Sequence, residues 1–335
     1  MITLIPSSLK AGDTIGVFSP SAPATAWIPE RTRLAVRFLE DRGFQVRLGA
    51  LAGRREAYRS GTIRERADEL NELIRDPAVK CLMAAAGGFV SNAILPYIDY
   101  RTLRRQPKVL VGHSDVTAVL AAVYAQTGLI AFYGPHLISN FGEAQPFSGE
   151  TMDAFLAVTG DRLPVPHMFP VPERWTEDSV GLEEKGVACA ARENAWVTVR
   201  AGRASGRLMG GCLDALLGIF GTPFMPPIRE GDILFLEDAR PTAESLERSF
   251  ALLENAGVFR RIAGLILGKC EGYRDTGTGL KSYEAPLEIL GKYSFPILAE
   301  FDCGHTRPML TLPLGASVRL DADARRVTLL ERVTR

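Results

Sequence analysis

In the first part of the chain, short solid apolar runs alternate with longer stretches whose apolar positions recur at helical spacing. Residues 14–19 read as a strand after Gly12-Asp13. A Pro- and Ser-rich turn through Pro23 follows, then a helix over 30–42 that stops at Gly43. The order repeats, with strands at 44–48, 80–85 and 108–111 and helices at 63–76, from 92–95 onward and at 115–126. Such alternation with short connections predicts an α/β fold with a mostly parallel sheet covered on both faces. Ligands gather at the carboxyl ends of such strands, where Ser19, Gly87-Gly88 and Ser114 would lie.

From about 141 to 172 the pattern loosens, with six prolines between Pro135 and Pro172 and a helix only around 149–158. Beyond it, short β-like runs at 196–199, 233–236, 265–267 and 318–320 are separated by Gly and Pro, with helices at 212–220 and 245–256. This predicts a second, mixed α+β domain. The expected division is an N-terminal α/β domain over 1–145, a connection over 146–185 and a C-terminal domain over 186–335. Neither an internal repeat nor a low-complexity tract interrupts it.

A length of 335 residues fits two domains, and 46% hydrophobic with 23% charged residues is ordinary for a soluble protein. Lys plus Arg and Asp plus Glu both number 39, so no net field draws nucleic acid or anionic lipid, and basic runs such as 101–105 read as solvated faces. Five cysteines, Cys81, Cys189, Cys212, Cys270 and Cys303, are odd in number and contain no C-x-x-C pair. That pattern argues against a disulfide framework or a zinc site and for a reducing compartment. Met1 to Lys10 lacks the charged and apolar regions of an export signal, and no run reaches the ~20 apolar residues of a membrane span. A cytoplasmic protein without a membrane partner is expected.

The chemistry points to Val109-Leu110-Val111-Gly112-His113-Ser114-Asp115-Val116-Thr117. A buried strand stops at Gly112 and delivers Ser114 to a helix start, a sharp turn that exposes a nucleophile and offers free backbone N–H groups to an oxyanion. Ser and Asp are also ordinary helix caps. A serine nucleophile needs a base, and the chain has four histidines. His113 is a poor base for Ser114 because adjacent strand residues point to opposite faces, and His167 sits in a proline-rich loop. His136 and His305 remain, the latter in Phe301-Asp302-Cys303-Gly304-His305-Thr306 after an apolar run. Glu237 is the acid candidate, placed with Asp238 where the apolar run 233–236 ends. Gly88, after the run 82–86, and Asp115 offer backbone N–H groups for an oxyanion hole. A Gly-Gly pair also suits a phosphate loop, but the dinucleotide and nucleoside triphosphate glycine signatures are both missing, which disfavours a Rossmann-type oxidoreductase.

Around these candidates stand Gly12-Asp13-Thr14-Ile15-Gly16, Ser19-Pro20-Ser21, Gly87-Gly88-Phe89, Ser91-Asn92, Leu95-Pro96-Tyr97-Ile98-Asp99, Tyr133-Gly134-Pro135, Gly210-Gly211-Cys212-Leu213, Leu234-Phe235-Leu236-Glu237-Asp238 and Gly304-His305. Their order and spacing resemble the LD-carboxypeptidase family of serine peptidases, and in particular its microcin C immunity branch. The resemblance implies a Rossmann-like N-terminal domain and a barrel-like, swivelling C-terminal one. It also implies a triad of Ser114, His305 and Glu237 split between them, an oxyanion hole from Gly88 and Asp115, and a homodimer without metal or organic cofactor. Within the branch, Glu173-Arg174-Trp175-Thr176-Glu177-Asp178 and Phe141-Gly142-Glu143 are similar to tracts in which the tryptophan stacks on a nucleobase. Glu271 matches an acid that holds a substrate α-amino group, and Asp214 would lie near the same pocket. Two positions depart from the family pattern: Cys212 where many members carry Asn, and Phe89 where Tyr is commoner. They bear on substrate choice. The expectation is a serine hydrolase of amide bonds acting on a peptidyl or aminoacyl nucleotide. Its alternatives are a murein-peptide LD-carboxypeptidase and a non-catalytic protein that sequesters toxin or peptide.

Overall fold

The computed structural model describes residues 3–142, 147–177 and 190–335. Two large sheets organise them, beside a two-stranded one that pairs Arg174–Trp175 with Arg192–Glu193. The first has six strands in the order Leu312–Leu314, Ala131–Tyr133, Val109–Gly112, Val79–Ala84, Thr14–Phe18 and Gln45–Leu48. All neighbours are parallel except Leu312–Leu314, which runs antiparallel to Ala131–Tyr133. The apolar runs are the middle of this sheet, and every residue of Val109–Gly112 is buried. Helix Thr117–Thr127 is apolar nearly all round and correspondingly buried on most of its surface. The helix expected to open at 92–95 is instead a 3-10 turn, Ser91–Tyr97, followed by a short helix, Tyr100–Arg105. Pro96 lacks the N–H that a continuous α-helix would need there.

The second sheet has eight strands in the order His167–Met168, Arg326–Leu329, Ser317–Asp321, Arg203–Cys212, Asp232–Glu237, Ile262–Gly268, Ile297–Phe301 and Val197–Arg200. Arg203–Cys212 through Ile297–Phe301 are parallel, and the flanking strands antiparallel. The N-terminal parallel sheet and the separate mixed sheet match the expected fold class. Arg203–Cys212 is the longest strand at 10 residues, yet no periodicity announces it, because Gly206, Gly210, Gly211 and two arginines break the apolar alternation. No helix among the described residues is long and apolar enough to cross a membrane.

After Ile297–Phe301 the chain crosses to the first sheet, adds Leu312–Leu314 to its edge, and returns as Ser317–Asp321. Pro313 is tolerated there because an edge strand has one unpaired side. His305 lies on this crossing. A buried ion pair fixes the start of the turn. The Asp302 carboxylate, fully shielded, accepts from Lys269 Nζ at 2.6 Å, Trp196 Nε1 at 2.8 Å and Asn194 Nδ2 at 2.8 Å. Lys269 Nζ also donates to the carbonyl of Glu300 at 2.5 Å. Removing one member of a buried pair strands the other charge. Asp302→Ala is therefore expected to lower unfolding stability by about 3–5 kcal/mol in denaturant titration, and a loss below about 1 kcal/mol would contradict this view of the crossing.

Candidate active site

Ser114 follows the Val109–Gly112 strand with φ 56, a left-handed conformation that a residue with a Cβ adopts at a cost of roughly 1–2 kcal/mol. A 3-10 turn, Ser114–Val116, then leads into helix Thr117–Thr127. Two buried hydroxyls hold the strained residue. Ser114 N–H donates to the Tyr133 hydroxyl at 3.1 Å, and its carbonyl accepts from the Thr117 hydroxyl at 2.5 Å. Each hydroxyl also reaches the second sheet, Tyr133 by donating to Glu237 Oε1 and Thr117 by accepting the Cys212 N–H at 3.1 Å.

Glu237 ends the Asp232–Glu237 strand with its carboxylate shut off from solvent, and its Oε2 accepts from His305 Nδ1 at 2.8 Å. Gly304 makes this possible. Its φ is +149, and a Cβ there would stand 2.5 Å from Glu237 Oε2. Burial pushes the His305 imidazole down, but the charge and hydrogen bond of Glu237, with Glu271 and Asp238 behind, outweigh it and raise His305 above the ordinary histidine range. His136, the other base left open by the sequence, accepts the His113 N–H on Nε2 at 3.0 Å, and burial pushes it down to about 3. His113 donates Nδ1 to the Gly134 carbonyl at 3.0 Å, stacks on His136 at 3.7 Å and meets His305 edge-on at 5.2 Å. The Ser114 hydroxyl is not hydrogen-bonded to His305 among the described residues. Such bonds often tighten only with substrate present.

The loop after Val79–Ala84 is pinned from below. Ser21 Oγ accepts the N–H groups of Phe89 and Val90, both at 3.0 Å, and Asp115 Oδ2 accepts those of Val90 at 3.1 Å and Ser91 at 3.0 Å. Buried Arg66 donates to the carbonyls of Pro20 at 2.5 Å, Val90 at 3.0 Å and Gly61 at 3.1 Å. The N–H groups of Gly88 and Asp115 have no protein acceptor among the described residues. Gly88, Phe89, Ser114, Asp115, Asp214 and Arg248 line one cavity of about 650 Å³. Asp238 shares it, and burial beside Glu237 pushes its carboxyl up to about 6. Phe89 is 87% exposed, and Arg248 has no ionic or hydrogen-bonding partner among the described residues. Cys212 lines the same cavity, with Sγ 3.4 Å from Asp238 Oδ1.

Other expected residues do not line this cavity. Trp175 lines a different cavity of about 810 Å³, its ring 5.2 Å from Lys269 Nζ and 5.3 Å from the Arg192 guanidinium. Glu271 pairs with Arg240 at 3.4 Å, and the segments lining the two cavities are bridged at Ala239–Glu271 and Thr242–Arg274. Phe141 is buried and stacks on Phe38 at 5.0 Å. Glu143, Asp178 and Cys189 lie outside the described residues. Cys81, Cys212, Cys270 and Cys303 are free, and no group of three or more His, Cys, Asp and Glu among the described residues could hold a metal. Tyr133, Thr117, Ser21 and Arg66 were not expected at the site. Tyr133, Ser21 and Thr117 fall in tracts already singled out, but nothing local marks Arg66.

Fold and site belong to the hydrolase class, and comparison with known proteins specifies it. The LD-carboxypeptidase N-terminal domain matches residues 15–134 and the LD-carboxypeptidase C-terminal domain matches 205–320, so the chain belongs to the LD-carboxypeptidase family. It is 45% identical to a carboxypeptidase-like protein of Vibrio cholerae, over 96% of each chain. It is 41% identical to the microcin C7 self-immunity protein MccF of Escherichia coli, over 98% of this chain and 96% of that one. A solved structure of MccF in complex with aspartyl sulfamoyl adenosine superposes with a TM-score of 0.96 at 40% identity, covering 99% of this chain and 100% of that one.

A side chain at position 88 tests the loop directly. Gly88 has φ +150, and a Cβ there would stand 2.3 Å from Ser21 Oγ and 2.8 Å from Ala22 N. Gly88→Ala is expected to lower turnover roughly 100-fold or more at a temperature where the protein stays folded, the usual effect of losing an oxyanion donor, and to lower the melting temperature as well because the loop must shift. Unchanged turnover would show that the loop's N–H groups do not meet the reacting oxygen.

Proposed function

We propose that this protein hydrolyses the amide-type bond joining an aminoacyl or peptidyl group to a nucleotide, as in microcin C, with Ser114 as nucleophile, His305 as base and Glu237 as its orienting acid. The single observation that carries the reading is the buried Glu237 carboxylate bound to His305 Nδ1 at 2.8 Å beside the Ser114 turn. Glu237 fixes the proton on Nδ1 and leaves Nε2 as the basic nitrogen. Nε2 takes the Ser114 proton as Oγ attacks the carbonyl carbon, and the oxyanion accepts from the N–H groups of Gly88 and Asp115. As the C–N bond breaks, His305 returns that proton to the leaving nitrogen. A water then enters, loses a proton to His305 and cleaves the ester, which frees the acid and restores the Ser114 hydroxyl.

The substrate assignment rests on the MccF relatives and on the polarity of the cavity. Asp214 and Asp238 offer an acidic wall to an α-ammonium group, with Glu271 contributing from behind Arg240, while Arg248, unpaired among the described residues, offers a cation to a phosphate or sulfamate. Phe89 gives an apolar face at the rim. Trp175 is kept as the stacking residue for the nucleobase, on the family resemblance. The division at 1–145, 146–185 and 186–335, a cytoplasmic location and a homodimer belong to the same reading. The domain matches at 15–134 and 205–320 support the first, four free cysteines the second and the family resemblance the third.

Mass spectrometry after incubation with an aminoacyl sulfamoyl adenosine and, separately, a murein tetrapeptide tests the proposal. The expected result is release of the amino acid from the nucleotide analogue by wild type and not by Ser114→Ala. Arg248→Ala should raise KM roughly tenfold with kcat little changed, since it contacts ground state and transition state alike. Release of D-alanine alone would move the substrate to cell-wall peptides. Retained binding without any product would contradict hydrolysis and favour sequestration.

A further inference from the structure

We infer that Tyr133 is a positioning residue of this site, whose one hydroxyl ties the nucleophile's backbone to the acid and sets how tightly the His305–Glu237 pair holds its proton. The inference rests on the Ser114–His305–Glu237 reading proposed above. Tyr133 ends the Ala131–Tyr133 strand, between Gly112 of the nucleophile strand and Leu312 of the strand that follows the His305 turn. It is fully buried, and its ring meets Phe235 at 5.5 Å with an interplanar angle of 62°. The hydroxyl is committed on both sides, accepting from Ser114 N–H at 3.1 Å and donating to Glu237 Oε1. Burial, then the charge of Glu237, pushes the phenol well above its ordinary range, so it remains a donor wherever the histidine titrates.

The consequence is electrostatic. Glu237 offers one oxygen to Tyr133 and the other to His305, and each donor withdraws negative charge that the other would feel. With the phenolic donor gone, the carboxylate pulls harder on the proton of His305, and the apparent pKa of the pair rises. Other groups facing the pair stay as they are. His113 and His136 are held neutral by burial, and Asp238 and Glu271 act on His305 from the acid side. The thiols of Cys212, Cys270 and Cys303 are pushed up by burial and do not ionise in the working range. Thr117 provides an internal comparison, because it clamps the other end of the Ser114 peptide and bridges to Cys212 N–H without touching a titrating group.

The experiment is the pH profile of kcat/KM for wild type, Tyr133→Phe and Thr117→Val on an aminoacyl sulfamoyl adenosine. The acid limb, where His305 loses its blocking proton, is expected about one pH unit higher in Tyr133→Phe, since a hydrogen bond to a charged group is worth about that much. Plateau activity should fall at least tenfold in both variants, and the limb of Thr117→Val should stay in place. Site-specific 3-fluorotyrosine at position 133 keeps the fold and is a stronger donor, so it should move the limb down. NMR titration of His305 in the Ser114→Ala background should show the same two directions without turnover. An unmoved limb or unmoved titration in folded protein overturns the inference. Full turnover by Ser114→Ala would instead overturn the triad reading itself, so the two failures are distinct.

Discussion

Glu237 carries a carboxylate to a place without solvent, between two sheets, and an ionised group there is costly unless donors reach both of its oxygens. His305 and Tyr133 are those donors. Because the histidine comes from the crossing between sheets and the tyrosine from the first sheet, satisfying this carboxylate draws together the parts of the site. The same tyrosine oxygen holds the N–H of Ser114, the proposed nucleophile, so its left-handed turn is stabilised by the contact that satisfies the acid. Thr117 repeats the arrangement on the Ser114 carbonyl, with its second bond to the backbone of Cys212. Packing of the sheets and assembly of the site are one event, and reactivity depends on it.

The crossing explains why the fold can bear such a demand. Leu312–Leu314 belongs to the first sheet by hydrogen bonding and to the second by chain connection, so the segment carrying His305 is anchored at both ends. Asp302, tied to Lys269, Trp196 and Asn194, fixes one end. Below the cavity, Ser21, Arg66 and the carboxylate of Asp115 do the same for the loop that carries Gly88. Polar side chains used this way are buried supports, while Asp214, Asp238, Arg248 and Phe89 face the cavity and are left to meet a ligand.

The N-terminal sheet was legible because its strands are solid apolar runs separated by amphipathic helices, and the turn at Gly112-His113-Ser114 because a strand ends there abruptly. Arg203–Cys212 was not, since its glycines serve close packing and leave no alternating pattern. The 312–314 strand escaped because its meaning lies in its partner at 131–133, far earlier in the chain, which no local pattern encodes. His305 and Glu237 were readable as candidates from their positions at strand ends, but their pairing is a tertiary fact. Tyr133 and Thr117 look like ordinary buried residues in sequence; only the second bond of each hydroxyl reveals what they hold. Trp175 shows the converse. Its tract resembles that of a nucleobase-stacking residue, and the described chain sets it against Lys269 and Arg192 in a cavity separate from that of Ser114.

On the proposed reading, Ser114 is made nucleophilic by a histidine and carboxylate assembled at the junction of the two sheets. Intact-protein and peptide mass spectrometry after brief exposure to an alkyl fluorophosphonate, which phosphonylates activated serines, tests it most directly. A single adduct on Ser114 is expected, formed at least tenfold more slowly in Glu237→Gln and not at all in His305→Ala. Labelling at another residue, or labelling of Ser114 at the same rate in all three proteins, would contradict it.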